Sequence, residues 1–370
     1  MLAEQMKKDI PSLDGIRAIA VMIVFVAHSG LESVVPGGFG VTAFFFLSGF
    51  LITTLFIREQ AKYQSVDLPA FYLRRLARLT PPLLITLIIA YVGVALSVVP
   101  GGSRPSTIAS QALYFFNYFY LYGPKPTDGA GGTGVLWSLA VEEHFYLIYP
   151  LIFILLAAMK RNRSRLYFLA ALLLLNLVWR YLLVTVIGAP SNHTYMASDA
   201  RLDSILYGCF LAVLAWDGRA DRLFPSTTLG LSLTTAAAVG LLLFTFIYRD
   251  EMFRQTVRYS LQGIALIPLL HYAVRFPDLP HHRILNTRPF VVIGTYSYTI
   301  YLGHHVIIKT LETVPSFPSS FLAVFAASFL LTMLYSAVMY RFVDTPMAAV
   351  RHRLRGHRSA RASSRARPRG

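Results

Sequence analysis

Apolar residues run along this 370-residue chain in long blocks, separated by short stretches rich in polar residues, glycine and proline. A helix needs about 20 apolar residues to cross the hydrocarbon core of a bilayer. Blocks of that kind fall near 13–31, 38–57, 79–99, 136–158, 166–187, 201–217, 228–248, 257–275, 289–310 and 318–342, the sixth being short. The ~10-residue alternating segments of a transmembrane barrel are not evident. The pattern therefore predicts an all-α polytopic integral membrane protein, with about ten transmembrane helices around a central polar cavity over residues 1–350. The stretch 100–135 is not counted as a span. Its aromatic middle, "YFFNYFYLY", either lies in the interface or dips back into the protein.

Composition agrees with this reading. Hydrophobic residues make up 55% of the chain and charged residues only 14%, against roughly 25% charged in soluble domains. The net charge is +16, and the last twenty residues, "RHRLRGHRSARASSRARPRG", supply half of it with eight arginines and no acid. Residues 351–370 read as a basic, disordered tail, suited to membrane-surface attraction and topology control rather than to nucleic acid, which is not an expected partner. Lys7, Lys8, the 58–78 loop, "KRNRSR", Arg219, Arg222, the 275–288 loop and the tail all fall on one side of the predicted bundle. The positive-inside rule makes that side cytoplasmic, with both termini there. No cleavable signal peptide is apparent, so the first span is expected to stay as an anchor. Cys209 is the single cysteine, which leaves no intrachain disulfide. The Arg- and Ala-rich composition points to a GC-rich bacterial source, and so to the bacterial inner membrane.

The first span, "LDGIRAIAVMIVFVAHSG", holds Asp14, Arg17 and His28. An Arg or Asp at a helix centre costs about 2.5–3.5 kcal/mol on an insertion scale, and ionisable residues at that depth mark functional sites by default. Eleven residues, roughly three turns, separate Arg17 from His28, so they share a face about 16 Å apart. The fourth span opens "LWSLAVEEHFYLIYP" and brings Glu142 and Glu143 to about the depth of His28. A carboxylate beside a histidine is an acid–base pairing, because the acid orients the ring and raises its basicity. Arg74, Arg75 and Arg78 cluster before Pro81 and Pro82, where prolines suit a helix start. Their planar forks suit phosphate oxygens.

Asp199, Arg201 and Asp203 read as mutually neutralising. His304 and His305 are candidates for lining an outer cavity, and Ser48–Gly49 for helix packing. The spacings contain no His-Glu-x-x-His, P-loop or Gly-x-Ser-x-Gly pattern, and no metal is expected.

These residues, in this order, resemble the membrane-bound acyltransferase 3 family. The resemblance runs through Arg17 and His28, "FFFLSGFLIT", Arg75 and Arg78, "WSLAVEEHFYLIYP", Arg201–Asp203, "YSYTIYLGHH" and "FVDTP", over about residues 9–350. In the last motif the family more often has Glu where Asp344 stands. The resemblance implies transfer of an acyl group, commonly acetyl, from cytoplasmic acyl-CoA to a hydroxyl of a glycan or a macrolide-like molecule. It implies His28 as general base or as a nucleophile passing through an acyl-imidazole. Glu142 would orient His28; Glu143 ranks second because the family pattern centres on the first glutamate. Arg17, Arg74, Arg75 and Arg78 would meet the donor's phosphates. Some relatives carry a fused extracytoplasmic SGNH hydrolase-like domain; here such a partner is expected as a separate polypeptide, the chain being the stand-alone form. The rival reading from another class is a proton-coupled membrane transporter.

Overall fold

The computed structural model describes residues 10–353 apart from 126, 316, 319 and 352. Most of the basic tail, with Lys7 and Lys8, lies outside these residues. Ten long helices account for the ten predicted spans: α1 (Leu13–Val26, continued by a π-turn Ala27–Leu31), α2 (Gly37–Tyr63), α3 (Leu68–Ala95), α4 (Trp137–Ala158), α5 (Asn162–Thr185), α6 (Ser198–Trp216), α7 (Thr228–Ile247), α8 (Arg258–Arg275), α9 (Arg288–Glu312) and α10 (Phe321–Met339). The protein is an all-α polytopic membrane protein, and no strand occurs among the described residues. By length and composition seven of the ten can cross a membrane; α6, α8 and α9 fall short because they carry the polar side chains. The 100–135 stretch holds two short helices, Pro105–Ala112 and Phe116–Tyr122, closed by a Gly101–Ala130 bridge.

One boundary differs from expectation. The three arginines of "FYLRRLARLTPP" do not lie in a loop before a proline-started helix. Asp67 caps α3 by accepting from the Ala70 amide (3.1 Å), and the helix runs through Pro81 and Pro82 without a break. Proline ends a helix only where the lost amide bond is not offset by packing. Here Leu83 and Leu87 are buried, and the Tyr298 hydroxyl donates to the Leu79 carbonyl (2.7 Å). Arg74, Arg75 and Arg78 therefore ride on helical turns.

The described residues divide into two compact units. The first takes residues 10–56, 114–124 and 136–297; the second takes 57–113, 125–135 and 298–353. In the first unit α6 is buried along most of its length and packs against α4, α5 and α8. Its contact with α2 is set by two glycines: a Cβ on Gly49 would come within 1.9 Å of the Ile205 carbonyl, and one on Gly208 within 1.9 Å of the Phe46 carbonyl. Small residues at such a crossing let two backbones touch, the usual way for helices to gain packing contacts where lipid removes the hydrophobic drive. Away from these seams, α5, α7 and α10 expose leucines such as Leu174, Leu233 and Leu330. That is the expected outer surface of a protein whose solvent is hydrocarbon.

Candidate active site

The first unit contains His28 and both glutamates. Polar contacts pin the start of α1: the Ser12 hydroxyl donates to the Ala273 carbonyl (2.8 Å), and the Ser12 amide donates to Asn286 Oδ1 (2.8 Å). One turn on, Arg17 donates to Asp14 (2.7 Å), so the two charges in the first half of the helix neutralise each other. At its other end α1 loosens into the π-turn that carries His28, half-buried, with Gly30 at φ 111°. Single π-turns inside helices recur at functional sites because they re-aim one side chain without breaking the helix.

Glu142 is built in from two sides. The Ser48 hydroxyl on α2 donates to Glu142 Oε1 (2.9 Å), and the Tyr146 hydroxyl, one turn along α4, donates to Oε2 (3.2 Å). A carboxylate in an apolar helix needs such donors, because an unsolvated ion is otherwise strongly disfavoured. Ser48, read from sequence as a packing residue, is thus a carboxylate ligand, while Gly49 does the packing. Glu143 and His144 follow, both half-buried. His144 was not singled out by sequence reasoning, although "EEH" displays it beside the glutamates. It shares a 2.7 Å hydrogen bond with Ser198 Oγ and stacks on Tyr118, 5.9 Å between ring centres. Tyr118 in turn donates to Asp199 (2.7 Å); burial is the first cause pushing its hydroxyl up to about 12, and the aspartate adds to it.

The expected neutralisation of Arg201 by its neighbouring aspartates does not occur. Asp203 pairs instead with Arg180 of α5, at 2.9 and 2.8 Å in a two-pronged contact, with both side chains wholly buried. Arg180 uses every remaining N–H as well, donating to the Thr256 and Ala200 carbonyls and to Ser260 Oγ. Asp199 accepts from Trp179 and Tyr118 and contacts His193. Arg201, 0% exposed, makes no ion pair among the described residues. It donates to the Tyr195 carbonyl (3.1 Å) and Thr42 Oγ1 (2.9 Å), and its guanidinium lies 3.9 Å from the centre of the Tyr259 ring.

The second unit holds the arginine cluster. Arg74 faces Glu59 at 3.8 Å, Arg75 is half-buried and Arg78 is exposed on α3. His304 is wholly buried and hydrogen-bonded through Nδ1 to the Ile300 and Tyr301 carbonyls. His305 stacks beside it, 5.9 Å between ring centres.

Glu142, hydrogen-bonded by Ser48 and Tyr146, and His28, half-buried at a π-turn, lie in the same compact unit. The chain belongs to the acyltransferase family: residues 10–341 match that family's acyltransferase domain. It is similar to the O-acetyltransferase OatA of Staphylococcus aureus strain NCTC 8325, 30% identical over 351 residues that cover 91% of this chain and 57% of that protein. It is also similar to the peptidoglycan O-acetyltransferase OatA of Listeria monocytogenes, 30% identical over 92% of this chain and 56% of that one. The chain thus spans somewhat more than half the length of these relatives. No solved structure matches it.

Proposed function

We propose that this chain transfers an acetyl group from acetyl-CoA on the cytoplasmic side to a hydroxyl of a glycan on the outer side, with His28 and Glu142 as the reacting pair. Glu142 carries the reading: a carboxylate within a membrane helix that accepts from the Ser48 and Tyr146 hydroxyls. Such a group is poised to orient an imidazole and to stabilise its charged form. His28 takes the proton of the acceptor hydroxyl, the oxygen attacks the thioester carbonyl, the carbon–sulfur bond breaks, and the thiol leaves with the proton returned to it. In the two-step variant the imidazole first carries the acetyl group itself. Glu143 is the second carboxylate candidate beside Glu142.

Arg75 and Arg78 are assigned to the donor's phosphates, with Arg74 steadied by Glu59 and Arg17 already tied to Asp14. The peptidoglycan substrate named for the Listeria relative supports a glycan acceptor. The positive-inside bias of the loops supports the orientation.

Donor recognition can be tested without knowing the acceptor. A ligand that binds only the folded state raises apparent stability. Acetyl-CoA is expected to raise the melting temperature of the detergent-solubilised protein in proportion to its concentration, and the double variant Arg75→Ala/Arg78→Ala is expected to lose most of that rise. No shift in wild type at millimolar acetyl-CoA would remove acyl-CoA as the donor.

A further inference from the structure

The first unit contains a cavity of about 470 Å³ that the reaction scheme does not use. Three connections line it: 32–39 between α1 and α2, 191–195 between α5 and α6, and 245–262 from the end of α7 into α8. Its size falls within the ~300–1,000 Å³ typical of small-ligand pockets. The 32–39 stretch directly follows the π-turn of His28, and Gly37 packs so tightly under that turn that a Cβ there would meet the Ala27 methyl at 2.8 Å. Tyr195 of the cavity wall packs on Trp137, the first residue of α4, with 4.8 Å between ring centres. The cavity thus adjoins the ends of the two helices that carry His28 and Glu142.

Its chemistry is specific. Gln262, 3% exposed, donates to Thr245 Oγ1 (3.3 Å) and leaves its buried Oε1 without a partner. Arg258 donates to the Tyr259 hydroxyl (2.8 Å) and leaves its buried Nε without one. Three guanidinium groups crowd the Tyr259 ring, those of Arg201, Arg258 and Arg180 at 3.9, 4.8 and 5.2 Å. The one carboxylate inside this cluster, Asp203, is engaged by Arg180. At the rim, Arg249 and Arg254 stand with Glu32 and Glu251. Buried polar groups are normally hydrogen-bonded, so an unpartnered acceptor and an unpartnered donor on two residues that line one cavity call for a ligand that supplies the opposite pair. Low-dielectric walls strengthen the field of the uncompensated arginines there.

We propose that this cavity binds an anionic saccharide: its carboxylate or phosphate meets Arg258 in the field of Arg201, a hydroxyl or amide N–H donates to Gln262 Oε1, and a sugar face rests on Tyr195 or Tyr259. As the acceptor pocket, it rests on the proposed acetyl transfer; as a binding site, it does not.

The test uses the full chain in nanodiscs with four probes: methyl β-D-glucuronide, glucose 6-phosphate, neutral methyl β-D-glucoside and acetyl-CoA. The two charged sugars are expected to bind at least about tenfold more tightly than the neutral one. R258Q should abolish that discrimination while keeping the stabilisation by acetyl-CoA, and R258K should restore part of it. Equal binding of charged and neutral sugars would overturn the proposal. So would silence of all three sugars when acetyl-CoA still stabilises the protein, a result that leaves the acyltransferase reading standing. Stabilisation only by phosphatidylglycerol over phosphatidylcholine nanodiscs would make the cavity a lipid site and also overturn it. Charged-sugar binding without any response to acetyl-CoA would support the pocket and count against the donor.

Discussion

Arg180 and Arg201 are both wholly buried in the same unit, yet they are treated in opposite ways. Arg180 has a two-pronged carboxylate and three further acceptors, so every N–H is used. Arg201 has a carbonyl, a hydroxyl and aromatic faces, with its buried Nε unpartnered. The first arrangement closes on itself and ties α5 to α6 and α8. The second leaves a cation whose compensation is incomplete, directly behind the Tyr259 floor of a cavity. A buried ion that lacks full compensation in the protein alone is where a ligand gains most, because the desolvation has already occurred on folding.

The contrast can be broken experimentally, first at its closed end. Asp203→Ala leaves the buried Arg180 charge without its carboxylate, met only by two carbonyls and the Ser260 hydroxyl, and removing one partner of a buried pair costs about 3–5 kcal/mol. A large drop in the thermal unfolding midpoint is expected, together with loss of all ligand responses. Arg201→Gln, which removes no carboxylate's partner, should lower the midpoint by clearly less. Equal losses in the two variants would mean that both arginines serve structure alone.

A smaller effect is expected at the carboxylate. Ser48→Ala removes a hydroxyl donor to Glu142, and a hydrogen bond to a charged group is worth about 1.5–3 kcal/mol. A fall of about tenfold or more in kcat follows, with the acetyl-CoA dependence of stability unchanged. Ser48→Thr, which keeps the hydroxyl, should recover most of the rate. An unchanged rate in Ser48→Ala would release Glu142 from the reacting pair.

The helices were legible in the sequence because lipid demands long apolar runs: seven meet that demand outright, and the polar-bearing α6, α8 and α9 still show as apolar blocks. The start of α3 was not, since Pro81 and Pro82 mark a helix start in local terms while the Asp67 cap and tertiary packing place it thirteen residues earlier. Asp14, Arg17, His28 and Glu142 were conspicuous as charges inside apolar segments. Their supports were not: Ser48 is 94 residues from Glu142 in the chain. Arg180 is 23 residues from Asp203, whereas Arg201 is two residues away and looked the natural partner. Adjacency in sequence misleads on a helix, where residues two apart point in different directions. The cavity was invisible for a related reason. Three connections far apart in the chain build it, and no spacing within any one of them marks a pocket.

The most direct measurement is transfer of labelled acetyl from acetyl-CoA into the cell-wall glycan fraction by membranes carrying the wild-type chain or His28→Ala, with acetyl-CoA stabilisation of each purified protein as the control for folding and donor binding. Loss of transfer by about 100-fold or more, the range for removing an acid–base group, with stabilisation intact, is the predicted result. Full transfer by His28→Ala would contradict the account.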